Sequence, residues 1–162
     1  MSIFKFGAAA ALLALAPVAA VSQNYDALID ESFLADTFTI SAPDALKMAE
    51  CEVKIYPTCT YVWGTPSDKD AARISMGLSP EGNKLMVIFA QTRSAQDWER
   101  VISVYSDAES IPDLGEIAVW SARRSQLSLM NGEGLVIHVH IDGEEAAKEQ
   151  AILVANHVLA QL

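Results

Sequence analysis

The chain has 162 residues, of which 21 are acidic and 11 basic, giving a formal net charge of −10. A field of that sign repels nucleic acid and anionic membrane surfaces, and no basic cluster larger than Arg123-Arg124 offsets it. The length fits one domain with a sizeable core, and an acidic surface suits a soluble exported protein.

The first residues, "MSIFKFGAAAALLALAPVAA", have the grammar of an export signal. Lys5 supplies the positive start, Gly7 to about Leu15 the apolar run, Pro17 the helix break and Val18-Ala19-Ala20 the small residues that a peptidase inspects. Residues 1–20 are therefore expected to be a signal peptide and 21–162 a single α+β domain. A cut nearer Ser22 is the alternative site, and retention as an N-terminal anchor is the alternative fate. A spanning helix needs roughly 20 clean apolar residues, and Lys5, Gly7 and Pro17 interrupt this one. The expected location is periplasmic or secreted, with no membrane span after cleavage.

After the leader, "NYDALIDESFLADTF" carries a short helix pattern with Leu28, Ile29 and Phe33 on one side. "SAPDALKMAE" predicts another, with Ser41 as cap, Pro43 in the first turn, and Leu46 and Ala49 on one face. Cys51 and Cys59 close "CEVKIYPTC". In an oxidising compartment such a pair favours a disulfide, two free buried thiols being the alternative. From Cys59 the period becomes two, placing Cys59, Tyr61 and Trp63 on one strand face. "RISMGLS" and "KLMVIFAQ", joined by "PEGN", predict a hairpin with a central second strand. "TRSAQDWERVISVYSD" returns to the helical period with the stripe Trp98, Val101, Ile102, Tyr105 and a Ser94 cap. Three strands follow, "EIAVWSA", "SQLSLM" and "GLVIHVHI", and then a helix from about Glu144 to Leu162 with Ala147, Ala151, Val154, Val158 and Leu162 on its apolar side. The sum is an antiparallel sheet of about six strands with helices layered against it, a domain of the α+β class.

The opening of one strand as Cys-x-Tyr in "CTYVWG", then Gly115-Glu116-Ile117-Ala118 with Trp120, then Leu127 to Gly132 in "LSLMNG", and a terminal amphipathic helix resemble a loose group of small exported bacterial domains of unknown function. The resemblance covers roughly Cys51 to Leu162 and implies a PsbP-like α/β/α sandwich, one antiparallel sheet flanked by helices. Glu116 stands where the group has Asp. The resemblance implies no catalytic residues, so function rests on the site itself.

Two of the three histidines, His138 and His140, lie two apart in "LVIHVHIDGEE". On a strand they share the face opposite Leu135, Ile137, Val139 and Ile141, about 6.6 Å apart, and zinc or copper suits such a pair. Two ligands fall short of the usual four, and Asp142, with Glu145 three residues on, is expected to cap the last helix. The spacing of His157 does not aim it at them. Gly77-Leu78-Ser79-Pro80-Glu81-Gly82 misses the nucleophile-elbow pattern at Glu81, and Gly132-Glu133-Gly134 is a turn before a strand. No catalytic residues and no bound cofactor are indicated. Trp63, Trp98 and Trp120 fall on elements that pack, but if one sheet face is open, Trp63, Trp120 or Met130 would line a groove. The expected function is a non-catalytic binding or accessory role towards an envelope protein or small ligand. A metal-binding protein using His138 and His140 is the first alternative, and an unrecognised hydrolase the second.

Overall fold

A computed structural model describes residues 25–42, 45–53, 55–92 and 94–162 of the chain. The expected leader over residues 1–20 lies outside the described residues, as do Pro43 and Asp44. Seven strands form one antiparallel sheet: β1 (Leu46–Val53), β2 (Pro57–Trp63), β3 (Asn83–Gln91), β4 (Glu109–Ser110), β5 (Ile117–Ser121), β6 (Gln126–Met130) and β7 (Leu135–Asp142). Their order across the sheet is β1-β2-β3-β7-β6-β5-β4. The helices are α1 (Glu31–Phe38), α2 (Asp68–Ser75), α3 (Ala95–Ile102) and α4 (Ala147–Leu159). The expected α+β class with one antiparallel sheet is borne out, with one strand more than expected. The difference is net: β1 and β4 are not expected as strands, "RISMGLS" forms none, and β4 is only two residues long and carries no periodicity to read.

The seam of the sheet is β3 against β7, paired in register from Lys84 with Asp142 to Gln91 with Leu135. It joins the β1-β2-β3 block to the β7-β6-β5-β4 block. Of the two seam strands, β3 is the apolar run that the sequence marks as central, and β7 is the strand with one apolar face and the two histidines on the other. On the inner face, Cys59, Tyr61, Trp63, Leu85, Val87, Phe89, Ile137, Val139 and Ile141 form the main core. They pack on Leu34 and Phe38 of α1 and on Ala151, Val154, Ala155 and Val158 of α4. The expected stripe of α4 is thus buried, except Leu162, which lies beyond the helix and is exposed. Rings stack across this layer, Tyr25 on Phe89 at 4.2 Å and Phe33 on His157 at 3.7 Å. A smaller core on the outer face sets Trp98 of α3 and Tyr105 against Val119 and Val136.

Three local expectations are overturned. Residues 46–50 form strand, not helix. The register of β1 on β2 shifts between Leu46 and Met48. One inserted residue puts Leu46, opposite Trp63, and Ala49, opposite Tyr61, on the same face. That spacing of three is what reads as a helical stripe. Conversely, the start of "RISMGLS" belongs to α2, and Ile74, Met76 and Leu78, expected to alternate on a strand, are all exposed. The partner of β3 on that side is therefore β2, reached through α2, rather than a hairpin strand. Finally, α4 begins at Ala147, and Asp142 ends β7 instead of capping a helix. Its carboxylate meets Lys84 Nζ at 2.8 Å and His140 Nε2 at 3.0 Å, because the seam brings Lys84 directly opposite. Those partners, with Lys84 foremost, hold it below the ordinary carboxylate range.

Candidate interaction site at the β1 end of the sheet

β1 carries the disulfide. Cys51 faces Cys59 directly across the β1–β2 ladder, and their sulfurs are bonded, as their spacing leads one to expect. The bond closes a tight ring whose tip holds Ile55 and Tyr56. A ring of this size has no interior, so its apolar side chains stay outside, and Ile55 is 85% exposed.

α2 and the loop after it stand over the outer face of β1 and β2. One buried ion pair fixes them there. Lys47, at the bulge of β1, reaches Asp70 of α2 with Nζ to Oδ2 at 3.0 Å and also donates to the carbonyl of Glu81. Asp70 accepts from the backbone N–H of Ser67 at 2.9 Å and of Glu81 at 3.0 Å. The Lys47 hydrogen bond, followed by the Ser67 N–H, holds its carboxyl well below the usual range. Gly82 continues the loop at φ +147, where a Cβ would meet the Trp63 carbonyl oxygen at 2.2 Å. Only glycine lets the loop pass this close to β2.

Between the loop and the sheet lies a groove of about 470 Å³. Thr58 and Thr60 form its floor, and Tyr56, Ile74 and Leu78 its apolar walls. Met48, Glu50 and Glu52 line it along β1. Val53, Ile55 and Met76 are exposed in the adjoining tip and turn, so six of the ten large exposed apolar residues among those described gather at this end. On the inner side of β1 a second hollow, of about 570 Å³, is lined by Asp26, Ile29, Glu31, Leu34, Ala49 and Tyr61. Tyr61 is 3% exposed, and its hydroxyl has no hydrogen-bond partner among the described residues. Burial, with a smaller contribution from the Asp26 charge, pushes that hydroxyl up to about 12.

The residues singled out in the sequence sit elsewhere. His138 and His140 do share the outer face of β7. His138 Nδ1 meets Ser128 Oγ at 2.8 Å and Gln126 Nε2 at 3.1 Å, and Tyr105 Oη joins the same cluster at 3.0 Å from Ser128 Oγ. An amide N–H pointing at Nδ1 makes that nitrogen the acceptor and leaves the hydrogen on Nε2. Burial brings His138 down to about 4, so the ring is neutral at pH 7. His140 sets Nδ1 against the Arg124 carbonyl at 2.8 Å and Nε2 against Asp142. Three of the four ring nitrogens therefore already face protein groups. His157 lies on α4, stacked on Phe33 and 2.7 Å from Gln161 Nε2. Among the described residues, three ligand-type side chains converge at Asp26, Cys51 and Cys59, whose sulfurs the disulfide consumes.

Ser128 and His138 approach as a serine–histidine pair, but Ser128 is fully buried, and its hydroxyl also meets Tyr105. No substrate carbonyl reaches it in this conformation. Ser79 lies in the loop from α2 to β3, the reverse of the strand-to-helix turn that an elbow needs. Gly132 and Gly134 flank the β6–β7 turn, where Asn131 Oδ1 accepts from the N–H groups of Glu133 and Leu135. Trp63 and Trp120 belong to the inner core and Met130 to the outer one, so these three do not converge. Trp63 borders a separate cavity of about 440 Å³ with Phe38, Pro66, Asn83 and Glu144.

No family model matches the chain, and no curated protein or solved structure matches it. The site therefore stands on its geometry.

The sequence does contain one signal for it. Ile55 and Tyr56 lie inside the cysteine ring, where no core can take them. Glu50, the open edge of β1 and the walls from α2 are hidden in the sequence because both segments carry the opposite periodicity.

Proposed function

We propose that this is a non-catalytic binding or accessory protein that works outside the cytoplasm, in a periplasm or secreted, and that its binding surface is the outer groove beside β1. The observation that carries the reading is the gathering of exposed apolar side chains around a groove with a polar floor. Contiguous exposed apolar surface rimmed by polar residues marks interaction sites more often than it decorates a monomer. The disulfide suits an oxidising compartment. Among the described residues no helix is long and apolar enough to cross a membrane. The resemblance to the PsbP-like group of exported domains belongs to this same proposal.

The test is capture from envelope extracts with the protein as bait, beside an Ile74→Lys, Leu78→Lys variant that places charge in the groove walls. Both positions are exposed, so the variant should keep its circular dichroism and melting temperature. A partner retained by the parent protein and lost by the variant supports the reading. Equal retention, or nothing retained by either, defeats it.

A further inference from the structure

The described strands pair β1 on one side only, with β2, and leave its other edge without a ladder partner. Folded proteins usually blunt such an edge. Here the bulge and Lys47, turned onto Asp70 of α2, blunt its first part, but from Ala49 to Val53 the pairing on β2 is regular. Five residues of open backbone are thus presented in strand geometry. Hollows lie on both sides of this edge, the apolar-walled groove outside and the acidic hollow inside, and Glu50 borders both.

We propose that the open edge of β1 receives an extended basic peptide segment of a partner protein as an eighth strand, with lysine or arginine side chains entering the inner hollow and apolar side chains entering the outer groove. This rests on the binding function proposed above and names its mode and ligand class. A strand added to an edge gains main-chain hydrogen bonds and sends alternate side chains to opposite faces. An incoming segment beside β1 therefore meets the two hollows in alternation.

The chemistry of each hollow sets the side chain. Inside, Asp26 and Glu31 are exposed carboxylates without an ion-pair partner among the described residues. Asp30 joins them, although its Oδ1 already accepts from Ser32 Oγ and the Phe33 N–H. The Tyr61 hydroxyl, without a partner among the described residues, offers an oxygen to an ammonium or guanidinium group at the base. Outside, Tyr56, Ile74 and Leu78 offer apolar contact while the carboxylate of Glu50 adds to the preference for a cationic ligand. A second copy of this chain is the less suited occupant. Pairing β1 with itself would set Glu50 and Glu52 against their own copies on a chain of net charge −10.

The probe is a capped eight-residue peptide alternating lysine with leucine, titrated into the disulfide-bonded protein by calorimetry. Binding with a Kd below about 100 μM is expected, together with a loss of at least about tenfold in the Asp26→Asn, Glu31→Gln variant. Two further peptides carry N-methyl groups on all lysine amides or on all leucine amides. Only one set faces β1, so one should lose binding and the other retain it. Equal binding of both, or equal binding of a peptide with glutamate in place of lysine, would overturn the proposal. So would a dimer joined through β1 in sedimentation. No peptide binding, while a partner is still captured in a manner sensitive to Ile74→Lys and Leu78→Lys, sinks the edge-strand mode and leaves the binding function standing. If that capture fails too, both readings fall.

Discussion

Acidification tests the buried histidine cluster most directly. His138 titrates near 6.5 in an unfolded chain and at about 4 in the fold, where burial disfavours its charge. Between those values the unfolded chain binds a proton that the folded one does not, so stability rises with pH across this window. The contribution is complete above pH 6.5 and is lost as pH falls towards 4. Each pKa unit corresponds to about 1.4 kcal/mol, so the full loss is on the order of 3 kcal/mol, with about 2 kcal/mol gone by pH 5. At a urea slope of about 2 kcal/mol/M the midpoint should drop by roughly 1 M between pH 7.5 and pH 5 from this group alone. Carboxylates add their own dependence at lower pH, so the measurement is the difference between the parent protein and His138→Gln, which retains a polar side chain beside Ser128 and Gln126. The variant should show a flatter midpoint profile between pH 7 and pH 5. Parallel profiles, or a His138 imidazole resonance that titrates near 6.5, would refute the account of this cluster.

Lys47→Met removes the partner of a buried carboxylate, and hydrogen exchange across residues 68–81 should accelerate as α2 loosens from β1; unchanged protection would mean that Lys47 does not hold the groove wall. The carboxyl of Asp70 is depressed, so its stabilising contribution is present above the ordinary pKa of 3.8 and should fade only below it, which makes that carboxylate's contribution insensitive between pH 5 and pH 8. Reducing the Cys51–Cys59 bond opens the unfolded ring and should cost about 2.5 kcal/mol, read as a lower denaturation midpoint in dithiothreitol. A midpoint that stays put on full reduction would show that the hairpin holds its register unaided. Phe89→Ala empties a site that is 2% exposed and stacked on Tyr25, and urea unfolding should show a loss of about 3–5 kcal/mol. A cost under about 1 kcal/mol would imply that the inner core closes over the gap.

Much of the architecture was legible in short stretches of sequence. The period of two in "CTYVWG" places Cys59, Tyr61 and Trp63 together, and all three are buried on the inner face. The stripe Trp98, Val101, Ile102, Tyr105 does pack as one surface, and Ser94 accepts the N–H of Asp97 at its start. Local pattern misled at the two segments that build the groove. At β1 a single inserted residue converts an alternating strand into an apparent helical spacing. At α2 the alternation of Ile74, Met76 and Leu78 marks no buried face, because all three are exposed. Asp142 followed the same rule. A capping motif is a statement about neighbours in sequence, and the seam gave its carboxylate closer partners in space.

By itself the sequence determined the α+β class, the paired cysteines, one central apolar strand and the strongly acidic character of the chain. These follow from residue type and from periods that repeat within four to eight positions. Only the tertiary structure decided that β1 is an edge strand, that hollows flank it on both faces, and that the ring nitrogens of His138 and His140 face Ser128, Gln126, Arg124 and Asp142. Strand order and edge position depend on which distant segments pair. Here the pairing of Lys84 with Asp142 and of Leu46 with Trp63 set those choices, and neither contact leaves a trace in the local pattern on its own side.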